Sequence, residues 1–343
     1  MSTYAESGVN IEKGDQASRL AYEAAKRTFP GRKGMIGEPV LDEGGFAGAL
    51  DMGDFYLIQN DDGVGSKIQI AEQTGIYEGL GYDLLAMVAD DAICVGAETI
   101  SLTNTLDVDK VDPEKVGKIV SGLEKACLEQ KVVVPGGEIA ELGNMVNGYL
   151  WNATAVGIVE KHKLINGENI QPGDQIIALR SAGFRSNGFS LVRHILSKKF
   201  GEDWAQEMYD DEQTWGQVTL TPSVIYSNFV LDLHGRYKQE AKVELKGVVH
   251  VTGGGIPGNL PRVLNKKQLG AHLHNLPKPQ RAMIKVAEMG GVAIDEAYRT
   301  WNMGTGMFLI SNDTEKILEL AAQHGIEAQV AGEVTDTPEI TLE

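Results

Sequence analysis

The chain is poor in cysteine. Only Cys94 and Cys127 occur in 343 residues, and no C-x-x-C pair exists. Both fall in apolar-patterned segments, so buried free thiols are expected rather than a disulfide framework or a zinc ribbon. Positive charge is also scarce: Lys+Arg total 31 against Asp+Glu 48, a net charge of -17. A general nucleic-acid or anionic-membrane surface would need a basic face, so both partner classes are set aside. A small anionic substrate is not excluded, because a local cluster or a metal reverses the sign inside a site. No apolar run approaches the length of a bilayer span. Met1 to Asp15 is polar, so no secretory signal is expected there and the expected location is cytoplasmic. Several catalytic signatures are missing as well. There is no Walker A loop, no H-R-D or D-F-G, no G-x-S-x-G and no H-E-x-x-H.

What is present centres on Phe55 to Lys67. A short apolar strand ends in Asp61-Asp62, followed by Gly63-Val64-Gly65-Ser66-Lys67. Carboxylates hold hard cations, glycines let backbone N–H groups approach an anion, and lysine supplies a compact charge for phosphate. The stretch reads as a magnesium-nucleotide site, with an ordinary Asp-Gly turn as the equal alternative from these residues alone. A second acidic set follows in Tyr82 to Glu98. As a helix this segment is apolar almost all round and therefore buried, yet Asp83, Asp90 and Asp91 lie near one of its faces. Buried carboxylates need a cation, a donor or a metal. The metal reading is preferred here over helix-end salt bridges.

Three segments follow from the pattern. Residues 1–50 contain a helix at about Gln16 to Arg27 and a glycine-rich loop from Pro30 to Gly48, read as a lid. Residues 51–170 form a first α/β-type domain, and residues 171–343 a second, with turn-rich Asn166 to Asp174 as the boundary. In the second domain a strand runs into Arg185-Ser186-Asn187-Gly188 and then a helix, the arrangement of an anion site at a helix N-terminus. Glu202 to Gln217, with Trp204 and Trp215, reads as a surface helical insertion. Gly253-Gly254-Gly255-Ile256-Pro257-Gly258 matches G-x-G-x-x-G. The dinucleotide reading is rejected, because Pro257 stands where a helix should run and the acidic residue expected further on is missing. A glycine-lined turn against a phosphate or ribose fits better. His272 and His274 have no third ligand nearby and are read as surface residues.

The ordered motifs then point to a family. Asn10 to Asp15, Gly44-Gly45-Phe46, Asp62 to Lys67, Asp83 to Met87, Asp91, Gly96-Ala97-Glu98, Gly136-Gly137-Glu138, Ser186-Asn187-Gly188, Thr252 to Gly255, Asn259 to Leu264 and Tyr298 to Gly304 come in sequence over nearly the whole chain. The chain resembles the aminoimidazole ribonucleotide synthetases, the phosphoribosylformylglycinamidine cyclo-ligases. The resemblance implies an α+β fold of two α/β-type domains, the N-terminal one contributing to a dimeric β-barrel and the C-terminal one a sheet with packed helices. It implies a homodimer that uses ATP and Mg2+ to close the ring of formylglycinamidine ribonucleotide. Position by position, it implies Asp62 and Asp91 as magnesium ligands and, with Lys67, as the catalytic set. Gly63, Gly65 and Ser66 would face ATP, with Lys26, Gly44 and Gly45 in the lid. Glu138, Arg185, Ser186, Asn187, Gly253, Gly254 and Gly255 would line the ribonucleotide. The family pattern has Thr at Asp61, Asn at Asp90 and His at Arg185, and a different segment at Thr103-Asn104-Thr105-Leu106. Those departures leave open another ATP-dependent phosphoryl-transfer enzyme of the same superfamily, or a non-catalytic nucleotide-binding relative.

Overall fold

The computed structural model describes residues 11–40 and 45–343. Two six-stranded sheets organise it. The first comprises β1 (Glu38–Val40), β2 (Gly48–Asp51), β3 (Phe55–Gly63), β4 (Glu98–Val108), β5 (Val133–Glu141) and β6 (Tyr149–Glu160) in the order β1-β2-β3-β6-β4-β5. All neighbours in it are antiparallel except β4 and β5. The second comprises β7 (Gln175–Arg180), β8 (Gly247–His250), β9 (Gly270–Leu273), β10 (Thr305–Ile310), β11 (Ala328–Thr335) and β12 (Ile340–Leu342) in the order β12-β9-β11-β7-β10-β8.

Helices cover one face of the first sheet. After α1 (Ile11–Lys26) and α2 (Ile68–Thr74) come α3 (Gly79–Ile93) and α4 (Pro113–Gln130). Asp112 caps α4 by accepting from the N–H groups of Glu114 and Lys115 at 2.9 and 3.3 Å, and Pro113 occupies its first turn. Helix α3 is buried on nearly every side, as its composition requires. It meets α4 through two glycines. A Cβ on Gly81 would stand 2.0 Å from Leu123 N, and one on Gly122 1.8 Å from Glu78 O. The backbones touch where no side chain intervenes. On β6, Tyr149, Trp151, Ala153 and Ala155 point to these helices, while Leu150, Asn152, Thr154 and Val156 point away.

The second sheet packs with α5 (Phe189–Phe200), α6 (Trp215–Thr219), α7 (Ser227–His234), α8 (Gly255–Asn259), α9 (Pro261–Leu264), α10 (Arg281–Gly290), α11 (Ile294–Thr300) and α12 (Thr314–Gln323). Strand β10 is wholly buried and lies between β7 and β8.

Three local expectations change, and the buried free thiols do not. The segment read as a lid loop contains β1 and the first residue of β2; β1 pairs antiparallel with β2, and β2 with β3. Strands of three and four residues flanked by Pro and Gly leave too short a pattern to read. Trp204 and Trp215 are core residues, 2% and 1% exposed, so Glu202 to Gln217 is not a surface insertion. Its acidic residues face water while its tryptophans anchor it, Trp215 against Tyr209 and Phe200. Pro257 does not prevent a helix, because it falls in the first turn of the short α8, where its missing N–H costs nothing. Cys94 and Cys127 are both buried and unlinked.

Candidate functional site

The strand pleat separates the two acids that adjoin in sequence. Asp61 pairs in register with Thr154, whose hydroxyl donates to it on the open face of the first sheet. Asp62 pairs with Ala153 and points to the helix side, where Asp91 of α3 lies. Asp61 therefore adds its charge across the sheet from the Asp62–Asp91 pair rather than beside it. Burial pushes the Asp62 carboxyl up to about 6, against the Gly63 N–H that donates to Oδ1 at 2.7 Å, and the nearby Asp91 adds to the rise. Burial pushes Asp91 up to about 7, opposed by Arg262 and Arg185.

Asp91 is tied into a chain of groups that the sequence does not announce. Its Oδ1 lies 2.8 Å from His250 Nδ1. The Nε2 of His250 lies 2.8 Å from a terminal nitrogen of Arg185, which also reaches Asp90 Oδ2 at 2.8 Å. The other terminal nitrogen of Arg185 donates to Val224 O at 2.8 Å, and Asp90 Oδ1 accepts from the N–H groups of Tyr226 and Ser227. Every side chain in the row except Asp91 is buried. Burial, with Arg185 beside it, pushes His250 down to about 3, so its ring is neutral. His250 went unassigned in the sequence. It ends an apolar strand three residues before Gly253 of the glycine turn, and a polar residue at that place was the available signal.

The three acids of α3 thus divide. Asp83 and Asp90 serve buried ion pairs, and only Asp91 reaches an opening. Asp83 pairs with Lys67 at 2.6 Å and accepts from both the N–H and the hydroxyl of Ser223. Lys67 also donates to Thr221 O at 2.9 Å and sits over the Phe189 ring. Lys67 and Arg185 were expected to face ligand. Instead each is 0–1% exposed and neutralises an α3 carboxylate, joining the helix to residues 221–227 of the second domain. The metal reading of Asp83 and Asp90 is corrected accordingly: a fully buried carboxylate with a cation within 3 Å needs no metal.

Three turns meet near this region. Gly63 is required by close approach, since its Cβ would stand 2.6 Å from Trp151 O. Gly65, at φ +56°, faces Ser186 O. Asn187 in turn lies against Gly253 of the glycine turn. Gly254 takes φ +90°, and Asn259 ties down the carbonyls of Gly253 and Gly255 at 3.1 and 2.8 Å. Ser186 Oγ and Asn187 Oδ1 are buried with no hydrogen-bond partner among the described residues. Buried polar atoms left so are costly unless a ligand completes them. Ser66 is half-buried in the one-turn helix that ends at Lys67.

The remaining expected positions are more scattered. Glu138 is exposed on edge strand β5, in register with Thr105 on the open face of the sheet, away from Asp62. Lys26 closes α1, pairs with Glu23 at 2.7 Å and lies over the Tyr22 ring. Gly44 lies outside the described residues. Gly45 presents its carbonyl to Arg262 at 2.6 Å, and the Arg262 guanidinium stacks 3.9 Å from the centre of the Phe46 ring. These residues belong to a cavity of about 650 Å³ between α1, the β1–β3 edge and Arg262, lined also by Arg19, Tyr22, Asn60 and Asp61. That volume suits a ligand the size of a nucleotide.

Asp62 and Asp91 suit magnesium. Both offer hard oxygen donors, the charge of Asp91 burdens Asp62, and no described residue hydrogen-bonds Asp91 Oδ2. Among the described residues no group of three or more His, Cys, Asp or Glu is placed to hold a metal.

Comparison with known proteins decides the family. Residues 44–159 match the AIR synthase related protein N-terminal domain, and residues 171–343 match the corresponding C-terminal domain. The chain belongs to the AIR synthase related family. It is 38% identical to the phosphoribosylformylglycinamidine cyclo-ligase of Pyrococcus furiosus, covering 100% of this chain and 98% of that one. It is 35% identical to the enzyme of the same name from Methanobrevibacter smithii, covering 100% and 97%. Solved structures share the fold at low identity. Thiamine-monophosphate kinase from Stenotrophomonas maltophilia aligns with a TM-score of 0.63 at 16% identity, covering 89% of this chain and 91% of that one. The thiamine-phosphate kinase AaThiL, solved with AMPPCP and TMP, gives 0.60 at 14%, covering 87% of both. The two-domain α+β expectation agrees with this family fold, a mixed sheet with packed helices in each half.

Proposed function

We propose that the chain is an ATP-dependent cyclo-ligase that closes formylglycinamidine ribonucleotide to aminoimidazole ribonucleotide, releasing ADP and phosphate, in purine biosynthesis. The observation that carries this reading is the full-length match, at 38% identity, to an enzyme of that name. The chemistry is of a kind that positioned charges serve. The γ-phosphoryl group moves to the formyl oxygen, which makes that oxygen a good leaving group. The amidine-side nitrogen then attacks the same carbon, and phosphate departs with the former formyl oxygen. No side-chain nucleophile is needed, only alignment and charge stabilisation.

In this reading Asp62 and Asp91 hold Mg2+, which when bound neutralises and orients the triphosphate. ATP occupies the cavity beside α1, with Gly45 and Arg262 on its wall and its phosphates directed to the Gly63–Ser66 turn. The unpartnered Ser186 and Asn187 and the Gly253–Gly255 turn take the ribonucleotide. Lys67 and Arg185 support the site from behind by neutralising Asp83 and Asp90. Glu138, on the open face of the first sheet, reaches substrate only if that face is part of a shared site. A homodimer closed across this face supplies such a site. The exposed edge strand β5 and exposed Leu150 support it. Among the described residues no helix is long and apolar enough to cross a membrane. The need for ATP accords with the expected cytoplasmic setting.

The test is turnover of formylglycinamidine ribonucleotide by purified protein with ATP and Mg2+, following ADP and aminoimidazole ribonucleotide together. Substrate-dependent ADP release with ring closure is expected. ATP binding without it would favour a non-catalytic nucleotide-binding relative. Asp62→Asn keeps the Gly63 contact but removes a charge, and is expected to lower turnover at least ~100-fold at subsaturating Mg2+. Unchanged turnover there would remove Asp62 from the metal site.

A further inference from the structure

The departures at Asp90 and Arg185 are one event in three dimensions. They form a single buried ion pair, 2.8 Å apart, in which each charge neutralises the other. The consequence lies one residue further on. A guanidinium has donors only, so the Arg185 nitrogen 2.8 Å from His250 Nε2 can only donate to it. That ring nitrogen must carry a lone pair. The single proton of the neutral imidazole is then on Nδ1, which lies 2.8 Å from Asp91 Oδ1 and donates to it. A histidine at position 185 would not dictate this, because an imidazole either gives or accepts a hydrogen bond.

We infer that Arg185 is a positioning residue: it sets the tautomer of His250, and His250 thereby fixes the Asp91 carboxylate with Oδ1 engaged and Oδ2 left for a cation. The chain of contacts supports no other assignment. Asp90 holds the guanidinium from one side, Val224 O holds it from another, and pairing of His250 with Met307 in the sheet holds the ring's backbone. Such outer partners commonly change metal affinity 10- to 100-fold. The inference rests on the reading of Asp91 as a magnesium ligand.

The experiment uses full-length protein and Mn2+ with ATP as the probe, free Mn2+ being counted by EPR, together with 15N NMR of the His250 ring in metal-free protein. Wild type is expected to show the proton on Nδ1. The neutral double variant D90N/R185Q can donate or accept at His250, so it is expected to show a mixed or Nε2-protonated ring and at least ~10-fold weaker Mn2+ binding. His250→Asn places an amide donor where Nδ1 stood and is expected to keep Mn2+ affinity within about threefold of wild type. His250→Gln places its amide at the Nε2 position and is expected to lose affinity as the double variant does. If the double variant does not fold by circular dichroism, the contrast between the two His250 variants decides. An Nε2-protonated wild-type ring, or His250→Gln binding Mn2+ as tightly as wild type, overturns the inference alone. A wild type that binds no Mn2+ with ATP overturns the metal reading beneath it, whatever the tautomer.

Discussion

At the scale of single residues, the charges of this site are governed by what each is buried against. Lys67 has the residue type of a phosphate ligand, yet its ammonium is enclosed with Asp83, Thr221 O and the Phe189 ring. Removing one partner of such a pair strands the other. Lys67→Met is expected to cost about 3–5 kcal/mol in denaturant unfolding, with K67M/D83L recovering most of it. A K67M protein of wild-type stability that only binds ATP less well would restore Lys67 to the phosphates. His234 offers a pH test away from the site. It is buried, with Nε2 donating to Lys163 O at 2.8 Å, and burial lowers it from 6.5 to about 4. Between those values the unfolded chain binds the proton and the folded one does not, so stability falls as pH drops through this window. The full difference is up to about 3 kcal/mol at about 1.4 kcal/mol per unit. His234→Gln is expected to flatten the slope of unfolding free energy between pH 6.5 and 4 relative to wild type.

At the scale of elements, α3 is the hinge of the construction. Its sequence shows a buried helix with three acids on one face, and periodicity alone reaches that far. Which acid meets which partner depends on residues 221–227 and 185, far away in sequence, and on α3 lying flush against α4. The Gly81–Gly122 crossing sets that depth. Gly122→Ala puts a methyl group into the Glu78 carbonyl and is expected to cost at least about 2–3 kcal/mol by thermal unfolding. It should also weaken Mn2+ binding, because lifting α3 displaces Asp91 relative to Asp62. Loss of stability with unchanged metal affinity would mean that the two carboxylates move together. The same distinction explains the short strands β1 and β2. A helix of fifteen residues announces itself by repetition, whereas strands of three and four residues exist only because each finds an edge, β2 on β3 and β1 on β2.

At the scale of the whole molecule, the first sheet has a covered face and an open one. On the open face lie Asp61, Thr154, Leu150 and Glu138, and β5 is exposed along nearly its whole length. Natural proteins rarely leave such an edge bare. If a second copy closes it, Leu150→Glu is expected to shift the protein to monomer in sedimentation velocity and to depress turnover, while leaving the unfolding midpoint at low concentration nearly unchanged. A dimer that survives this substitution would place the contact elsewhere.

The family and its ordered chemistry were legible in the linear chain, because glycines, carboxylates and turn residues at such spacings reflect local backbone demands. The sequence also determined that the Asp62–Gly63 stretch ends a strand, but it set the charge of Asp61 beside the presumed metal, and only the pairing of β3 with β6 showed the two acids facing opposite ways. Only the tertiary structure decided which side holds α3. The same holds for the pairing of Lys67 with Asp83 and of Arg185 with Asp90, and for His250 standing between Arg185 and Asp91. The physical reason is that desolvation and hydrogen-bond partners are properties of a place in the fold. A lysine, an arginine and a histidine take their roles from the atoms that burial sets beside them.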